Sequence, residues 1–305
     1  MIKTEKLCKS YEKNEVLKEL NLTVNDGEIY GFIGKNGAGK TTALSILAGL
    51  LDYNSGKCFI NNTEIKPNRH IVYKICGFLP EEPKFYPYMS GLEYLCFLGR
   101  IIGHSEKERL VRSKELLETV GLSDAAKRKT GGYSRGMKQR LGIAVAMYHN
   151  PPVFLLDEPS SALDPIGRQD MIKILTALKN EGKTVMLSTH ILSDIEHLCD
   201  RVGIISGGKM ALEGKLNKIL EDYSSPGFEI TLASKPGEED INSVKALTFV
   251  TNVKTDNNVI TVDTEATADI NGLFYALGGF SVPIINAAIR KANLDEVFAK
   301  IAINN

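Results

Sequence analysis

The chemistry of this chain is concentrated in two short segments, of which the first lies at residues 34–41. Its letters, GKNGAGKT, fit the phosphate-loop pattern G-x-x-x-x-G-K-[ST], in which glycines let successive backbone N–H groups converge on phosphate oxygens. Lys40 is expected to reach the β- and γ-phosphates, and Thr41 to offer a hydroxyl to Mg²⁺. The helix that starts here points its positive end at the anion. The predicted phosphate-binding residues are Gly34, Lys35, Asn36, Gly37, Ala38, Gly39, Lys40, Thr41 and Thr42.

The second segment is an apolar run at residues 153–156 that ends in two carboxylates, Asp157 and Glu158. A buried parallel strand delivers such groups to the C-terminal edge of its sheet. Asp157 suits the Mg²⁺ shell because this cation prefers oxygen ligands, and Glu158 suits the attacking water. Alone, the two segments also fit a glycine-rich turn and a solvated strand end. Together they predict binding and hydrolysis of ATP with Mg²⁺.

Composition narrows the class of protein. With 305 residues the chain is long enough for about two domains. Lys and Arg together number 37, as do Asp and Glu, so no basic footprint stands out and no nucleic-acid partner is expected. The five cysteines are scattered without a C-x-x-C pair, which fits neither a zinc site nor a disulfide framework and favours a reducing, cytosolic setting.

The hydropathy pattern argues against a membrane span. The first residues form no apolar leader, and no uncharged apolar stretch reaches the roughly 20 residues that cross a bilayer. A membrane role would therefore come through a partner. We expect this chain to be soluble when isolated and peripheral at the cytoplasmic face of the cell membrane.

The pattern of apolar residues predicts an α/β fold with a parallel sheet, because strand and helix signals alternate. Short strands before about residue 80 predict an antiparallel strand subdomain, and a helical period from about 85 to 150 predicts a helical insertion. We expect this P-loop NTPase core to occupy residues 1–219. Its predicted strands lie at residues 28–33, 153–156, 184–188 and 202–205, and two of its helices at 169–180 and 192–199.

Residues 220–305 are expected to form a small α+β module, joined through a linker at residues 223–227. A turn at residues 255–258 suits a hairpin. The module shows no catalytic pattern, and a ligand sensor and a brace between subunits are both compatible with it. The predicted strands lie at 228–232, 247–253 and 259–262, and the predicted helices at 270–277 and 294–301.

Residues 132–141, GYSRGMKQRL, resemble the signature segment of ATP-binding cassette (ABC) ATPases. Further matches stand in family order: Tyr11 before the phosphate loop, residues 161–165 (SALDP) after Glu158, and residues 188–190 (STH) after a strand. The resemblance covers residues 1 to about 215. The chain is similar to ABC transporter ATP-binding subunits, nearest to the ABC-2 type group that exports drugs, peptide antibiotics or lipids.

The resemblance implies roles for residues outside the phosphate loop. Tyr11 would stack on adenine, unless it is an ordinary core tyrosine. Ser134 and Gly136, with Met137 beside them, would present a hydroxyl and a helix N-terminus to the γ-phosphate held by another subunit. ATP would then join two cassettes head to tail, the second being another copy or a paralogous ATPase subunit.

Three more residues take roles from the same resemblance. Glu158 would polarise the attacking water, and His190 would contact the γ-phosphate. Asp164 would shape the contact between subunits.

Two positions depart from the family pattern. Arg135 replaces the usual glycine in the third signature position and brings a cation near the partner's nucleotide, where it could contact phosphate or slow closure. Glu81 occupies the slot of a glutamine that usually contacts Mg²⁺ and reports to the membrane subunit. A carboxylate still binds Mg²⁺, so the predicted metal ligands are Thr41, Glu81 and Asp157.

The leading hypothesis is a motor subunit in which ATP closes two cassettes and drives export through a separate integral-membrane permease. Residues 85–89 (FYPYM) are the candidate permease contact, with an ordinary hydrophobic turn as the alternative. The competing function is a soluble ABC ATPase that acts on ribosomes or DNA. Neutral net charge and the absence of a second phosphate loop argue against it.

Overall fold

The computed structural model describes residues 1–66, 72–224, 226–265, 270–290 and 292–303. It contains two compact units, one formed by Met1–Leu216 with the residues from Ile301 onward, and one formed by Asn217–Lys300. Of the predicted linker, Ser225 lies outside the described residues. No helix in the described ranges is both long and apolar enough to cross a membrane.

The first unit is built on two sheets. A six-stranded sheet has the order β10-β9-β3-β8-β7-β6, and its four pairings from β9 to β6 are parallel. An antiparallel sheet with the order β2-β1-β4-β5 stands beside it. The strands are β1 (Ile2–Tyr11), β2 (Asn14–Val24), β3 (Ile29–Ile33), β4 (Ser55–Ile60), β5 (Thr63–Glu64), β6 (Cys76–Leu79), β7 (Val153–Asp157), β8 (Thr184–Thr189), β9 (Arg201–Ser206) and β10 (Lys209–Lys215).

Helices cover the parallel sheet and form the predicted insertion. They are α1 (Lys40–Leu47), α2 (Val72–Ile75), α3 (Gly91–Ile101), α4 (Glu106–Thr119), α5 (Arg135–Met147), α6 (Pro165–Asn180) and α7 (Leu192–Leu198). Helices α3 and α4 begin at capping boxes, in which Ser90 pairs with Glu93 and Ser105 with Glu108. In each box the side chain of one residue accepts the backbone N–H of the other. The backbone of Ser90 and the side chain of Lys129 hold the pKa of the Glu93 carboxyl down at about 2.

The strands that carry the two sequence motifs lie in the middle of the sheet. All five residues of β3 and all five of β7 are buried, which suits strands covered on both faces. β8 lies between them, so the carboxyl ends of the three strands meet at one edge. The predicted fold class is confirmed, and this edge is where the phosphate loop and the two carboxylates emerge.

The second unit is an antiparallel sheet, ordered β12-β13-β11-β14, with helices packed on it. Ile230, Ile260 and Val262 of the sheet form one core with Val244 and Leu273 of the helices. Its elements are β11 (Gly227–Leu232), α9 (Glu238–Lys245), β12 (Val250–Asp256), β13 (Val259–Thr264), α10 (Ile270–Leu277), β14 (Ile284–Ile289) and α11 (Leu294–Ile303). The helix α8 (Leu216–Tyr223) precedes them.

Three details of this unit correct the sequence predictions. The strand predicted at residues 247–253 lies instead at Val250–Asp256, because pairing with β13 continues to the Asp256–Val259 pair and recruits polar residues. The hairpin turn lies between Asp256 and Val259, within the residues predicted for it. Asn257 in this turn has φ of 52°, a conformation that asparagine tolerates. Helix α9 and strand β14 were not predicted, and β14 forms the edge of the sheet beside β11.

Candidate nucleotide-binding site

The phosphate loop connects β3 to α1 and depends on its glycines. Gly37 and Gly39 have φ of 81° and 108°, the left-handed region that favours glycine. A Cβ on Gly39 would also lie 2.7 Å from a methyl of Leu17. The Lys40 side chain is buried, and its Nζ donates a 2.7 Å hydrogen bond to the carbonyl of Gly34. The ammonium therefore sits inside the loop's curve.

A cleft of about 500 Å³ opens beside the loop. It brings together side chains from distant parts of the chain, including the predicted Glu81, Glu158 and His190. Its walls are formed by Asn14, Val16, Asn36, Gly37, Gly39, Lys40, Thr41, Thr42, Glu81, Glu158 and His190. Cationic, hydroxyl and carboxylate groups thus face one space, which suits a phosphorylated ligand with a hard cation.

Asp157 lies at the buried end of β7 with one carboxylate oxygen bonded and one unpaired. Its Oδ1 accepts the hydroxyl of Ser188, whereas its Oδ2 is buried with no hydrogen-bond partner among the described residues. An unpaired buried carboxylate oxygen is costly unless a cation or donor meets it. The described residues hold no cluster of three or more His, Cys, Asp or Glu side chains arranged for a metal. This donor set fits Mg²⁺, which draws its other ligands from hydroxyls, phosphates and water.

Glu158 is fixed in an unusual backbone conformation directly after β7. Its φ is 50°, which few non-glycine residues adopt and which clusters at functional sites. Its N–H donates to the Ser188 hydroxyl at 3.0 Å, and Gln139 and Ser161 donate to its carbonyl. These bonds hold the backbone, which leaves the carboxylate to face the cleft.

The Glu158 carboxylate contacts His190. Its Oε2 lies 2.8 Å from Nδ1 of the imidazole. The two residues come from the ends of β7 and β8, which are adjacent in the sheet. A buried carboxylate next to a half-exposed imidazole gives a proton acceptor with a polar neighbour at the mouth of the cleft.

The signature residues line a second cleft of about 470 Å³. Ser134 caps α5, its hydroxyl accepting the N–H of Met137 at 3.2 Å, and Asp164 caps α6 by accepting the N–H of Gly167 at 2.9 Å. The walls of this cleft are Ser134, Arg135, Gly136, Arg140, Ala162, Leu163, Asp164, Ile166, Gly167 and Asp170. Ser134, Gly136 and Asp164 are brought together here, and none of them lines the phosphate-loop cleft.

Comparison with known proteins matches this architecture. Residues 17–161 match the ABC transporter family. The chain is 40% identical over 235 residues, 77% of its length and 78% of the relative's, to the uncharacterized ABC transporter ATP-binding protein YxlF of Bacillus subtilis. The chain belongs to the ABC transporter ATP-binding proteins.

Two further relatives carry more specific descriptions. The lantibiotic transport ATP-binding protein SrtF of Streptococcus pyogenes is 41% identical over 213 residues, which cover 70% of this chain and 90% of SrtF. The dimeric post-hydrolysis structure of the ATP-binding cassette MJ0796 with ADP and Pi has a TM-score of 0.66 and 29% identity. It covers 71% of this chain and 99% of its own. The ABC protein described here is accordingly an ATPase that binds and hydrolyses ATP, and the relatives favour transport over the ribosome or DNA alternative.

The ABC ATPase has cleft residues that sequence reasoning missed. Asn14 and Val16 of β2 line the phosphate-loop cleft without belonging to a motif. Asn14 pairs with Tyr11 across the β1–β2 hairpin. The predicted nucleotide contact of Tyr11 could therefore have indicated that Asn14 lies near the site. Tyr11 itself is 46% exposed, with Nζ of Lys9 at 4.9 Å from its ring centroid, so the alternative of a core tyrosine is wrong. Its stacking on adenine stays a prediction.

Proposed function

We propose that this ABC ATPase powers export of a peptide antibiotic, another drug or a lipid through a separate membrane permease. The observation that carries the ATP-hydrolysing part of the proposal is the Glu158–His190 contact at the mouth of the phosphate-loop cleft. Likeness to SrtF, a lantibiotic transport protein, supports the substrate class. The working place is the cytoplasmic face of the membrane, where the permease would hold the chain.

The phosphate loop binds and orients the nucleotide. Its N–H groups and Lys40 hold the β- and γ-phosphates, with the positive end of α1 behind them. Mg²⁺, held by the Thr41 hydroxyl, the unpaired Oδ2 of Asp157 and the Glu81 carboxylate, would neutralise charge on the phosphates. Glu81 adds a negative charge where glutamine is usual, which tightens cation binding.

Glu158 acts on the attacking water. Its carboxylate faces the cleft and accepts a hydrogen bond from the water, which increases the nucleophilicity of the oxygen. His190 contacts the Glu158 carboxylate and so restrains it, and His190 would also contact the γ-phosphate of a bound nucleotide. The strained backbone of Glu158, held by Ser188 and Gln139, limits where the carboxylate can point.

A complete site needs two chains. Ser134, Gly136 and Asp164 line the second cleft, Met137 follows Gly136 on α5, and none of the four lines the phosphate-loop cleft of its own chain. A head-to-tail dimer with another copy or a paralogous subunit would supply them in trans. The dimeric arrangement of the MJ0796 cassette supports this assembly.

An apolar groove of about 350 Å³ is our candidate for the permease contact. Leu50 after α1 and Ile101 and Ile102 at the end of α3 form exposed apolar walls, at 55%, 65% and 47% exposure. The groove is thus shared by the nucleotide core and the helical insertion, whose relative movement a docked helix would follow. Residues 85–89, the candidate contact from the sequence, do not line this groove. They present exposed Tyr86 and Tyr88, whose stacked rings have centroids 5.7 Å apart, as a second apolar surface.

Purification from membranes of its native host tests this function. Glu158→Gln protein with ATP should retain a polytopic membrane protein identified by mass spectrometry. Leu50→Lys and Ile101→Lys, each combined with Glu158→Gln, should lose that membrane protein, and each alone should keep ATPase activity. Val111→Lys, exposed on α4 outside the groove, serves as the matched control. Recovery of ribosomal proteins or nucleic acid instead would overturn the transport function.

A further inference from the structure

Strand β14 is an open edge of the second unit that carries neither charge nor proline, two of the usual protections of edges. It pairs with β11 on one side and, among the described residues, ends the sheet on the other. Its sequence, IINAAI, carries no charge and no proline, and Ile285 and Ile289 are 67% and 69% exposed. The opposite edge, β12, carries Lys254 and Asp256, which discourage strand addition. An uncharged apolar edge of this kind invites another strand.

The hydrogen bonds to β11 show which groups of β14 are free. Arg290 N–H donates to the Gly227 carbonyl, and Ala288 pairs with Glu229 two residues on. Because bonding alternates along an antiparallel pair, the N–H and C=O groups of Ala287 and Ile289 point away from β11. A bulge follows, in which Leu232 faces Ile284 and Ile285 is the extra residue with no partner on β11. The free groups thus form a short antiparallel template.

The side chains of this edge continue the core face of the sheet. Ile289 is the cross-strand partner of Phe228, and Ala287 is that of Ile230, which is fully buried. Cross-strand partners lie on the same face. An added strand would therefore extend the apolar face of the unit, and its burial would remove two exposed isoleucines per chain from water.

We propose that β14 pairs with β14 of a second copy, antiparallel and centred on Ala287, to join two second units into one eight-stranded sheet. A two-fold axis at Ala287 sets Ile289 of one copy beside Ile285 of the other. The symmetry gives two such isoleucine pairs, one on each side of the axis. No like charges are opposed, since β14 has none. A second copy is the fitting occupant because the strand is complementary to itself in this register, with Ile289 against Ile285 on both sides of the axis.

Sedimentation of the full chain without nucleotide tests the pairing, because no ATP-dependent contact contributes. Wild type should show a monomer–dimer equilibrium. Ile285→Lys and Ile289→Glu should each weaken it by about tenfold or more, since a charge enters an apolar pair. The double variant should return to within about threefold of wild type, because the introduced lysine of each copy then faces the introduced glutamate of the other across the axis.

A matched control and hydrogen exchange sharpen the test. Tyr275→Lys, at a 90% exposed position on α10, should leave the equilibrium unchanged. The amides of Ala287 and Ile289 should gain protection as concentration rises. A wild-type chain that is monomeric throughout, or a double variant that stays as weak as the single ones, overturns the proposal. Neither ATP nor a permease enters the measurement, so its outcome is separate from that of the proposed function.

Discussion

The side-chain amide of Gln139 donates a 3.2 Å hydrogen bond to the backbone carbonyl of Glu158. Gln139 is fully buried on α5, the helix whose first turn carries Gly136 and whose N-cap is Ser134. The bond therefore ties the helix of the second cleft to Glu158, the residue that we propose acts on the attacking water. Glu158 needs such ties because its backbone lies in a sparsely populated region.

Gln139→Leu should reduce turnover more than nucleotide binding. Loss of one buried hydrogen bond leaves the Glu158 carbonyl less restrained and costs about 1 kcal/mol of stability. If the same energy is lost from positioning of the carboxylate, kcat falls by about fivefold. Steady-state ATPase assays and ATP titration measure the two quantities. Lys138→Gln on the same helix is the control, and an unchanged kcat in Gln139→Leu would contradict this positioning role.

Glu158→Gln should abolish turnover while preserving ATP binding. The amide keeps the shape of the side chain but cannot accept a proton, and loss of a general base typically costs about 10²–10⁴-fold. The result is an ATP-trapped dimer, seen as a shift to larger mass in gel filtration with ATP. Glu181→Gln, at an exposed position after α6, should hydrolyse ATP normally. Near-normal hydrolysis by Glu158→Gln would refute the assignment.

Local motifs made most of the cassette predictable, whereas contacts between distant segments did not follow from them. The phosphate loop and the end of β7 match recognisable sequence patterns. The alternation of strands and helices predicts a parallel sheet, and this places both segments at one edge of it. Asn14 belongs to no motif, and Gln139 lies in the signature segment without a contact that the motif assigns to it. Their contacts with the site are visible only in the fold, where β2 and α5 reach it.

The missed strand in the second unit has a different cause. Strand β14 escaped prediction because IINAAI lacks the two-residue alternation of a half-buried strand. All six residues are exposed, so no burial imposed such a pattern.

Lys40→Ala should weaken ATP binding and loosen the empty loop. A charge-assisted phosphate contact is lost, which costs on the order of 1.5–3 kcal/mol of binding free energy. The bond from Nζ to the Gly34 carbonyl is lost as well, so the melting temperature without nucleotide should also fall. Equilibrium titration with ATP and thermal unfolding measure these effects. Lys13→Ala, at an exposed turn, should change neither, and tight ATP binding by Lys40→Ala would count against the predicted role.

Asp240 should make the second unit sensitive to acid. Its carboxylate accepts hydrogen bonds from the N–H and hydroxyl of Ser281 and from the N–H of Gly237, which tie the loop before β14 to the start of α9. The Ser281 N–H is the main cause that lowers the pKa of Asp240 below its ordinary value of 3.8. A carboxyl with a lowered folded pKa stabilises the fold fully above its unfolded pKa. That contribution disappears as the pH falls through the folded pKa.

Urea unfolding of the full chain between about pH 6 and about pH 3 would measure this sensitivity. Asp240→Asn should lower the stability of the second unit at the upper end of this range and flatten its loss of stability in acid, because the titrating group is gone. Glu239→Gln in the same helical turn is exposed and should follow wild type. If Asp240→Asn and wild type lose stability in parallel as the pH falls, the Asp240–Ser281 contacts do not control the acid response of this unit.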